Sequence, residues 1–229
     1  MCISQSKRKP NRAAFTLLEL MLAISILAIV TTITFMCFAT VTNAWKRGTA
    51  LSDSLDHGDL IMDQLLMGLR SAYFPQGGAA SGKYGFWMKN TGGEHSGCTI
   101  SWVKVGSSLL GKQCPFSETP HRVEVTLEPD GAGENAFSVR AWRLEGQPED
   151  FDPDRKAWTR LPGRVQGFDC KVSYRRVNDE VEWLDEWEDT NRVPTAMKLS
   201  VYLPPIEEGG QPIVLRRITE IPVGTLSWQ

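Results

Sequence analysis

Arg12-Ala13-Ala14-Phe15-Thr16-Leu17-Leu18-Glu19-Leu20 opens an apolar run that continues to Phe38. The 24 residues from Phe15 to Phe38 contain one charge, Glu19, and neither proline nor glycine. About 20 apolar residues rising 1.5 Å each cross the hydrocarbon core of a bilayer, so this run is long enough to span one. Lys7, Arg8, Lys9 and Arg12 precede it with no acid among them. A basic flank beside a first apolar helix stays cytoplasmic and directs the following chain outward.

Two features separate this run from a secretory signal. Such a signal has an apolar core of roughly 7–15 residues and is cut after it, at a small-residue site. Here the run is longer, and the one obvious processing point, Ala14-Phe15, lies before it. The second feature is Glu19. An acid within a membrane helix costs about 3 kcal/mol even on the milder insertion scales and so generally has a partner. At four residues from Phe15 it is also near enough to the helix end to reach the headgroups.

The basic leader, the small residue and the sequence Phe-Thr-Leu-Leu-Glu-Leu-Met-Leu-Ala-Ile together resemble the class III signal of type IV pilins and pseudopilins. That resemblance implies cleavage by a prepilin peptidase between Ala14 and Phe15, methylation of the new amine of Phe15, and Glu19 as the fifth residue of the mature chain. Ala14 stands where the family has glycine. It also implies an assembly role for Glu19. A buried carboxylate and a neighbour's new amine attract strongly in a low dielectric, and leaving either unpaired is costly, so the pair would set axial register between subunits.

A chain of 229 residues holds one anchor and one further domain. Without residues 1–14 the formal charge falls from −2 to about −6. No basic patch interleaved with aromatics is present, which argues against nucleic-acid binding. Eight tryptophans and 13 prolines suit a β-rich domain with many turns. Of five cysteines, Cys2 lies in the leader and Cys37 at the end of the apolar run, leaving Cys98, Cys114 and Cys170. Three thiols allow one internal bridge with one left over. Cys98–Cys114 is the pair nearest in sequence, but sequence does not fix the connectivity, and reduction of all three is a further alternative. No CxxC suggests zinc or redox chemistry.

Helical character extends beyond the apolar run. Leu51, Leu55, Met62, Leu65, Leu69 and Tyr73 recur at helical spacing with Asp53, Asp56, Asp59 and Asp63 between them, and Pro75 is the first breaker. One helix is therefore expected from about Phe15 to Phe74. Gly48, Gly58 and Gly68 weaken a free-standing rod and favour packing on a sheet over a coiled-coil partner. Strands are expected over 84–88, 99–105, 122–127, 137–143 and 164–176, and a hairpin pairs 195–203 with 213–221 across Gly209-Gly210. Asp150, Asp152 and Asp154 alternate as in some calcium loops, but the glycine and later glutamate of an EF-hand are missing. A solvated turn is the reading for them, with no metal.

The C-terminal third carries a second, looser resemblance. Trp183 and Trp187 of "EWLDEW", followed by the "VPTAMKLSVYL" strand with Pro194 and Met197, look like the end of the J-type minor pseudopilins of type II secretion; Val193 replaces the usual leucine. The stretch "DQLLMGLRSAYFP" is similar to that family's approach to its first loop. Residues 77–163 match nothing in it. Trp142 and Trp183 are expected in the core, and Trp187 at an interface. Catalytic motifs are absent: no GxSxG, HExxH, P-loop or GxGxxG, and Glu94-His95-Ser96 in a glycine-rich loop lacks the partners of a hydrolase site. No cofactor is implied.

The expected organisation is α+β: a cytoplasmic leader (1–14), a membrane-spanning half-helix (15–38), a periplasmic half-helix (39–74) and a β-rich periplasmic domain with an antiparallel sheet (75–229). The resemblance implies a non-enzymatic, single-pass inner-membrane subunit at the tip of a type II secretion pseudopilus. Its partners would be minor pseudopilins of the I and K types, the major pseudopilin and the prepilin peptidase. A minor pilin of a type IV pilus or DNA-uptake system shares the N-terminal logic. A non-polymerising anchored binding domain would need neither cleavage nor Glu19.

Overall fold

The computed structural model describes residues 16–91, 97–111, 113–129, 135–177, 180–207 and 209–228. The chain divides into two units, Met1–Thr49 and Ala50–Gln229, and one helix, α1 (Leu17–Arg70), runs from the first into the second.

In the first unit the described residues after Thr16 are all helical. Their large apolar side chains point outward on every side, from Leu17 and Leu18 at 77% exposure to Phe38 at 69%. A helix apolar all round must be covered by something apolar, and among the described residues α1 alone is long and apolar enough to cross a membrane. Its hydroxyls are handled in the same sense. Ser25, Thr31, Thr32, Thr34, Thr40 and Thr42 each donate to the carbonyl four residues earlier, at 2.7–2.9 Å. A hydroxyl satisfied by its own helix asks nothing of a lipid tail.

The second unit begins with the rest of α1, which is striped rather than uniform. Gly58, Ile61, Met62, Leu65, Gly68 and Leu69 are buried, while Asp53, Asp56, Asp59 and Asp63 stay exposed. The two glycines allow close approach. A Cβ on Gly58 would lie 2.6 Å from Leu215 Cδ1 and 2.7 Å from Leu203 Cδ1, and one on Gly68 would lie 3.1 Å from Trp102 Cζ2. Gly48 has open space around it, so packing accounts for two of the three helical glycines. The helix ends at Arg70, short of the expected Phe74. Ala72 N–H turns back to Leu69 O at 3.1 Å, and Tyr73 N–H then donates to Val103 O at 2.8 Å, tying the chain to a strand.

That strand belongs to a five-stranded antiparallel meander of β1 (Trp87–Asn90), β2 (Cys98–Lys104), β3 (His121–Pro129), β4 (Asn135–Arg143) and β5 (Thr159–Arg160). A three-stranded sheet is formed by β6 (Gly167–Ser173), β9 (Ala196–Leu203) and β10 (Ile213–Glu220), with β9 in the centre. β7 (Arg176–Val177) and β8 (Glu180–Val181) make a small ribbon. The hairpin expected at the end of the chain forms in the expected register, with Ile213 opposite Leu203 and Glu220 opposite Ala196. The expected strand over 164–176 is shorter at both ends: Val165 N–H turns to Asn135 O at 3.3 Å, and the ladder with β9 stops at Ser173.

The segment between β8 and β9 joins the two sheets. Leu184 exchanges both backbone hydrogen bonds with Val172 of β6, at 2.8 and 3.0 Å, and Trp187 exchanges both with Met88 of β1, at 2.8 and 2.9 Å. The inner faces share one core: Ile61, Met62, Leu65 and Leu69 from α1, Ile100, Trp102 and Val125 from the meander, and Phe168, Leu199 and Val201 from the smaller sheet. Phe137 and Phe168 meet edge to face at 4.7 Å between ring centroids. Trp142 is buried as expected. The other two tryptophans depart from expectation: Trp187 is 6% exposed and packs edge-on against Tyr174 and Trp228, whereas Trp183 is only half-buried, with Lys198 Nζ 6.0 Å from its ring. The reason is backbone pairing, which pulls Trp187 inward beside β1.

Candidate functional site

The N-terminal end of α1 carries the residues the sequence singles out. Ala14 and Phe15 lie outside the described residues; Thr16 and Glu19 lie within them. Glu19 N–H donates to Thr16 Oγ1 at 3.3 Å, and Leu20 N–H to Thr16 O at 3.2 Å. Thr16 is thus the N-cap, and Glu19 sits at the third helical position, in the Ser/Thr-x-x-Glu spacing of a capping box. Its carboxylate stands in the first turn, where the helix dipole favours negative charge. The motif therefore serves folding of the helix end as well as any intermolecular contact. The signal for this capping, Thr16 three residues before Glu19, is present in the sequence but goes unused when Glu19 is read only as an intramembrane acid.

The acidic turn is committed to protein groups. Asp152 caps a short 3₁₀ turn (Pro153–Arg155) by accepting from Asp154 N–H at 3.0 Å, and its other oxygen lies 3.5 Å from Arg155 Nε. Asp154 accepts from Arg140 Nη2 at 2.7 Å. Arg140, 8% exposed, also forms a forked pair with Glu124 at 3.0–3.1 Å, donates to Pro153 O at 2.9 Å and stacks 4.5 Å from the Trp158 ring centroid. Burial pushes the Glu124 carboxyl above its ordinary range, and the Arg140 charge opposes that. Asp150 is exposed and outside this network of contacts. No group of three or more His, Cys, Asp or Glu is arranged to hold a metal among the described residues.

Two grooves flank these elements. One, of about 600 Å³, is lined by Asp53, His57, Gly163 and Pro204, and His57 Nδ1 lies 2.6 Å from Asp53 O. The other, of about 750 Å³, is lined by Trp87, Arg122, Arg140 and Trp142. Its arginines are already spoken for: half-buried Arg122 donates to Ser101 Oγ, Lys83 O and Gly85 O at 2.9–3.1 Å. Glu94, His95 and Ser96 lie outside the described residues.

The most unusual buried chemistry leaves no local mark in the sequence. Lys104 and His121 face each other at the ends of β2 and β3, both at 0% exposure. Lys104 Nζ donates to Gly106 O, and desolvation lowers its pKa to about 8, opposed by the nearby Cys114 thiol. His121 Nδ1 is 2.8 Å from Thr119 O and its Nε2 has no protein partner. Burial and the Lys104 charge push the imidazole's pKa down, against the pull of the Thr119 carbonyl. Strand alternation cannot announce such a pair, because it marks faces and not which polar residue is sealed at a strand end.

The structure does not bring the expected Cys98–Cys114 pair together: Cys98, Cys114 and Cys170 stand unbridged, and Cys98 lies near Cys170. Cys114 is near Lys104, at the far end of β2 from Cys98, and six residues of strand span roughly 20 Å.

These features define a protein anchored by one N-terminal apolar helix and continued as an α+β domain. The comparisons agree at the N-terminal end: residues 9–35 match the family described as "Prokaryotic N-terminal methylation motif". The motif supports a pilin-like or pseudopilin protein of the type IV superfamily, whose subunits are structural, processed by prepilin peptidase and assembled with other pilin subunits. No curated protein and no solved structure matches the chain.

Proposed function

We propose that the chain is a minor pseudopilin, a structural subunit at the tip of a type II secretion pseudopilus that helps to start assembly and so aids export across the outer membrane. The methylation motif running into a single uncovered apolar helix carries this reading. On it, prepilin peptidase cuts between Ala14 and Phe15, Phe15 is N-methylated, and Glu19 pairs with the amine of a neighbouring subunit. Residues 15–38 cross the inner membrane, the helix from residue 39 and the β-rich domain from residue 75 lie in the periplasm, and I- and K-type minor pseudopilins and the major pseudopilin are the partners. The J-type assignment is supported by the segment holding Trp183 and Trp187, whose Leu184 and Trp187 bond the two sheets together ahead of the strand with Met197.

Intact mass of the mature protein, from membranes with and without the peptidase, tests the reading. A mass beginning at methylated Phe15 only when the peptidase is present is expected; a chain beginning near Met1 in both overturns it. Glu19→Ala should reduce co-purification with other subunits far more than it lowers the Tm of the β-rich domain. Recovery of secretion-type minor subunits, rather than those of a retractile pilus, separates the pseudopilin from a minor pilin carrying the same motif.

A further inference from the structure

Cys98 lies on β2 and Cys170 on β6, so the two thiols belong to different sheets. Both are at 0% exposure within the shared core. Asn90, the β1 residue paired with Cys98, donates from Nδ2 to Cys170 O at 2.9 Å, which fixes the two strands side by side at this level. The two side chains therefore lie near each other within that core, close enough for Cys98 to act on the ionisation of Cys170. We infer that Cys98 and Cys170 form a disulfide site that ties the five-stranded sheet to the three-stranded one. The cellular setting rests on the proposed periplasmic placement of the domain, since disulfides persist in such oxidising compartments; the juxtaposition of the thiols does not.

The oxidant is a protein or small-molecule disulfide acting by thiol–disulfide exchange. One cysteine loses its proton and its sulfur attacks the oxidant's S–S bond, giving a mixed disulfide and one oxidant thiol. The second cysteine, also deprotonated, displaces the remaining oxidant sulfur. The Cys98–Cys170 bond forms, two electrons pass to the oxidant, and its two sulfurs carry away the two protons as thiols. Timing follows from burial. In the folded, reduced domain neither sulfur meets solvent, and desolvation holds the Cys170 thiol well above its ordinary range and so protonated. Thiolate is the reactive form, so the bond closes while the chain is still folding. Cys114, half-buried beside Lys104, is left as the unpaired thiol of the domain.

The full-length chain in detergent, reduced and unfolded in denaturant, is refolded in a mixture of oxidised and reduced glutathione. It is then denatured, its free thiols are alkylated, and its peptides are mapped without reduction. The Cys98 and Cys170 peptides should be recovered joined, with Cys2, Cys37 and Cys114 alkylated. The bond closes a loop of about 70 residues, and the oxidised form should melt about 5–15 °C above the reduced form. The Cys98→Ala/Cys170→Ala double variant should lose both the joined peptide and the difference in Tm. A Cys98–Cys114 peptide, or alkylation of both Cys98 and Cys170 after refolding, overturns the inference. Protease access to the domain in spheroplasts tests its placement separately: a shielded domain whose chain forms the bridge on refolding removes the periplasmic reading and leaves the disulfide site standing.

Discussion

Before Thr49, α1 shows apolar side chains in every direction, with Leu22 at 58% exposure, Leu27 at 66% and Trp45 at 74%. After Ala50 the same helix hides Ile61, Met62, Leu65 and Leu69 at 0–2% exposure and turns its aspartates outward. The backbone is continuous; the difference lies in what each stretch asks of its surroundings. A uniformly apolar surface is at rest in lipid or among other helices, and a stripe is at rest on its own domain. The comparison teaches that a leucine in this helix has one of two jobs, set by its position and not by its type.

The largest expected effect tests that division directly. Leu65→Ala should destabilise the domain by about 2–5 kcal/mol, the usual cost of a cavity where a buried leucine stood. Leu22→Ala should leave domain stability within about 0.5 kcal/mol, as an outward-facing residue does. Thermal or denaturant unfolding of the full-length chain in detergent, followed by tryptophan fluorescence, measures both. Equal losses would end the distinction between the two stretches.

Charge is handled as differently as apolar surface. Glu19 stands exposed at a capped helix end, whereas Lys104 is sealed in the domain at 0% exposure. A folded pKa of about 8 against an ordinary 10.5 means that the unfolded chain binds the extra proton between those values. Wild-type stability should therefore rise as pH increases from 8 to 10.5 and level off above it. Lys104→Met should lose that rise and, near pH 7, gain up to about 3 kcal/mol by removing the buried charge. Stability curves of the two proteins that stay parallel from pH 7 to 11 would mean that the ammonium is better solvated than its surroundings imply.

What the sequence revealed follows the range of each interaction. The apolar run, the helical stripe through Leu65 and Leu69, and the hairpin pairing Leu203 with Ile213 are local patterns of period or turn, and all three are present in the fold. Contacts between distant segments left no such mark. Nothing local says that Leu184 and Trp187 will bond to strands on two different sheets, that Arg140 will gather Glu124 and Asp154, or that Cys98 will meet Cys170 across the core. The short 3₁₀ cap on Asp152 shows the middle case. Its Asp-Pro-Asp sequence is a turn signal, yet the arginine that takes Asp154 comes from β4.

The helical glycines allow a sharper test of the same boundary, with a change of sign. Gly48→Ala has open space and should add helical propensity of up to about 1 kcal/mol, read as helix content by circular dichroism. Gly58→Ala puts a methyl against Leu203 and Leu215 at 2.6–2.7 Å, and overpacking of this kind costs about 1–3 kcal/mol, enough to outweigh the propensity gain. A lower Tm for Gly58→Ala beside an unchanged one for Gly48→Ala is the expected result. Two neutral substitutions would show that the leucine methyls give way, and that close approach at Gly58 is not what holds the stripe to the sheet.

The smallest effect concerns the outer side of the stripe. Asp59 Oδ1 accepts from Arg217 Nη2 at 3.2 Å, with the side chains 51% and 49% exposed. This pair joins α1 to β10 at the same level as Gly58, yet water screens it, and exposed ion pairs contribute about 0–1 kcal/mol. Asp59→Asn, Arg217→Gln and the double variant form a cycle whose coupling should fall below about 0.5 kcal/mol and vanish in 1 M salt, where the screening length is about 3 Å. A coupling comparable to the loss from Leu65→Ala would contradict the view that the domain holds this helix by its buried stripe. Under that result the charges between the helix and β10, and not the leucines beneath them, would decide which part of α1 belongs to the domain.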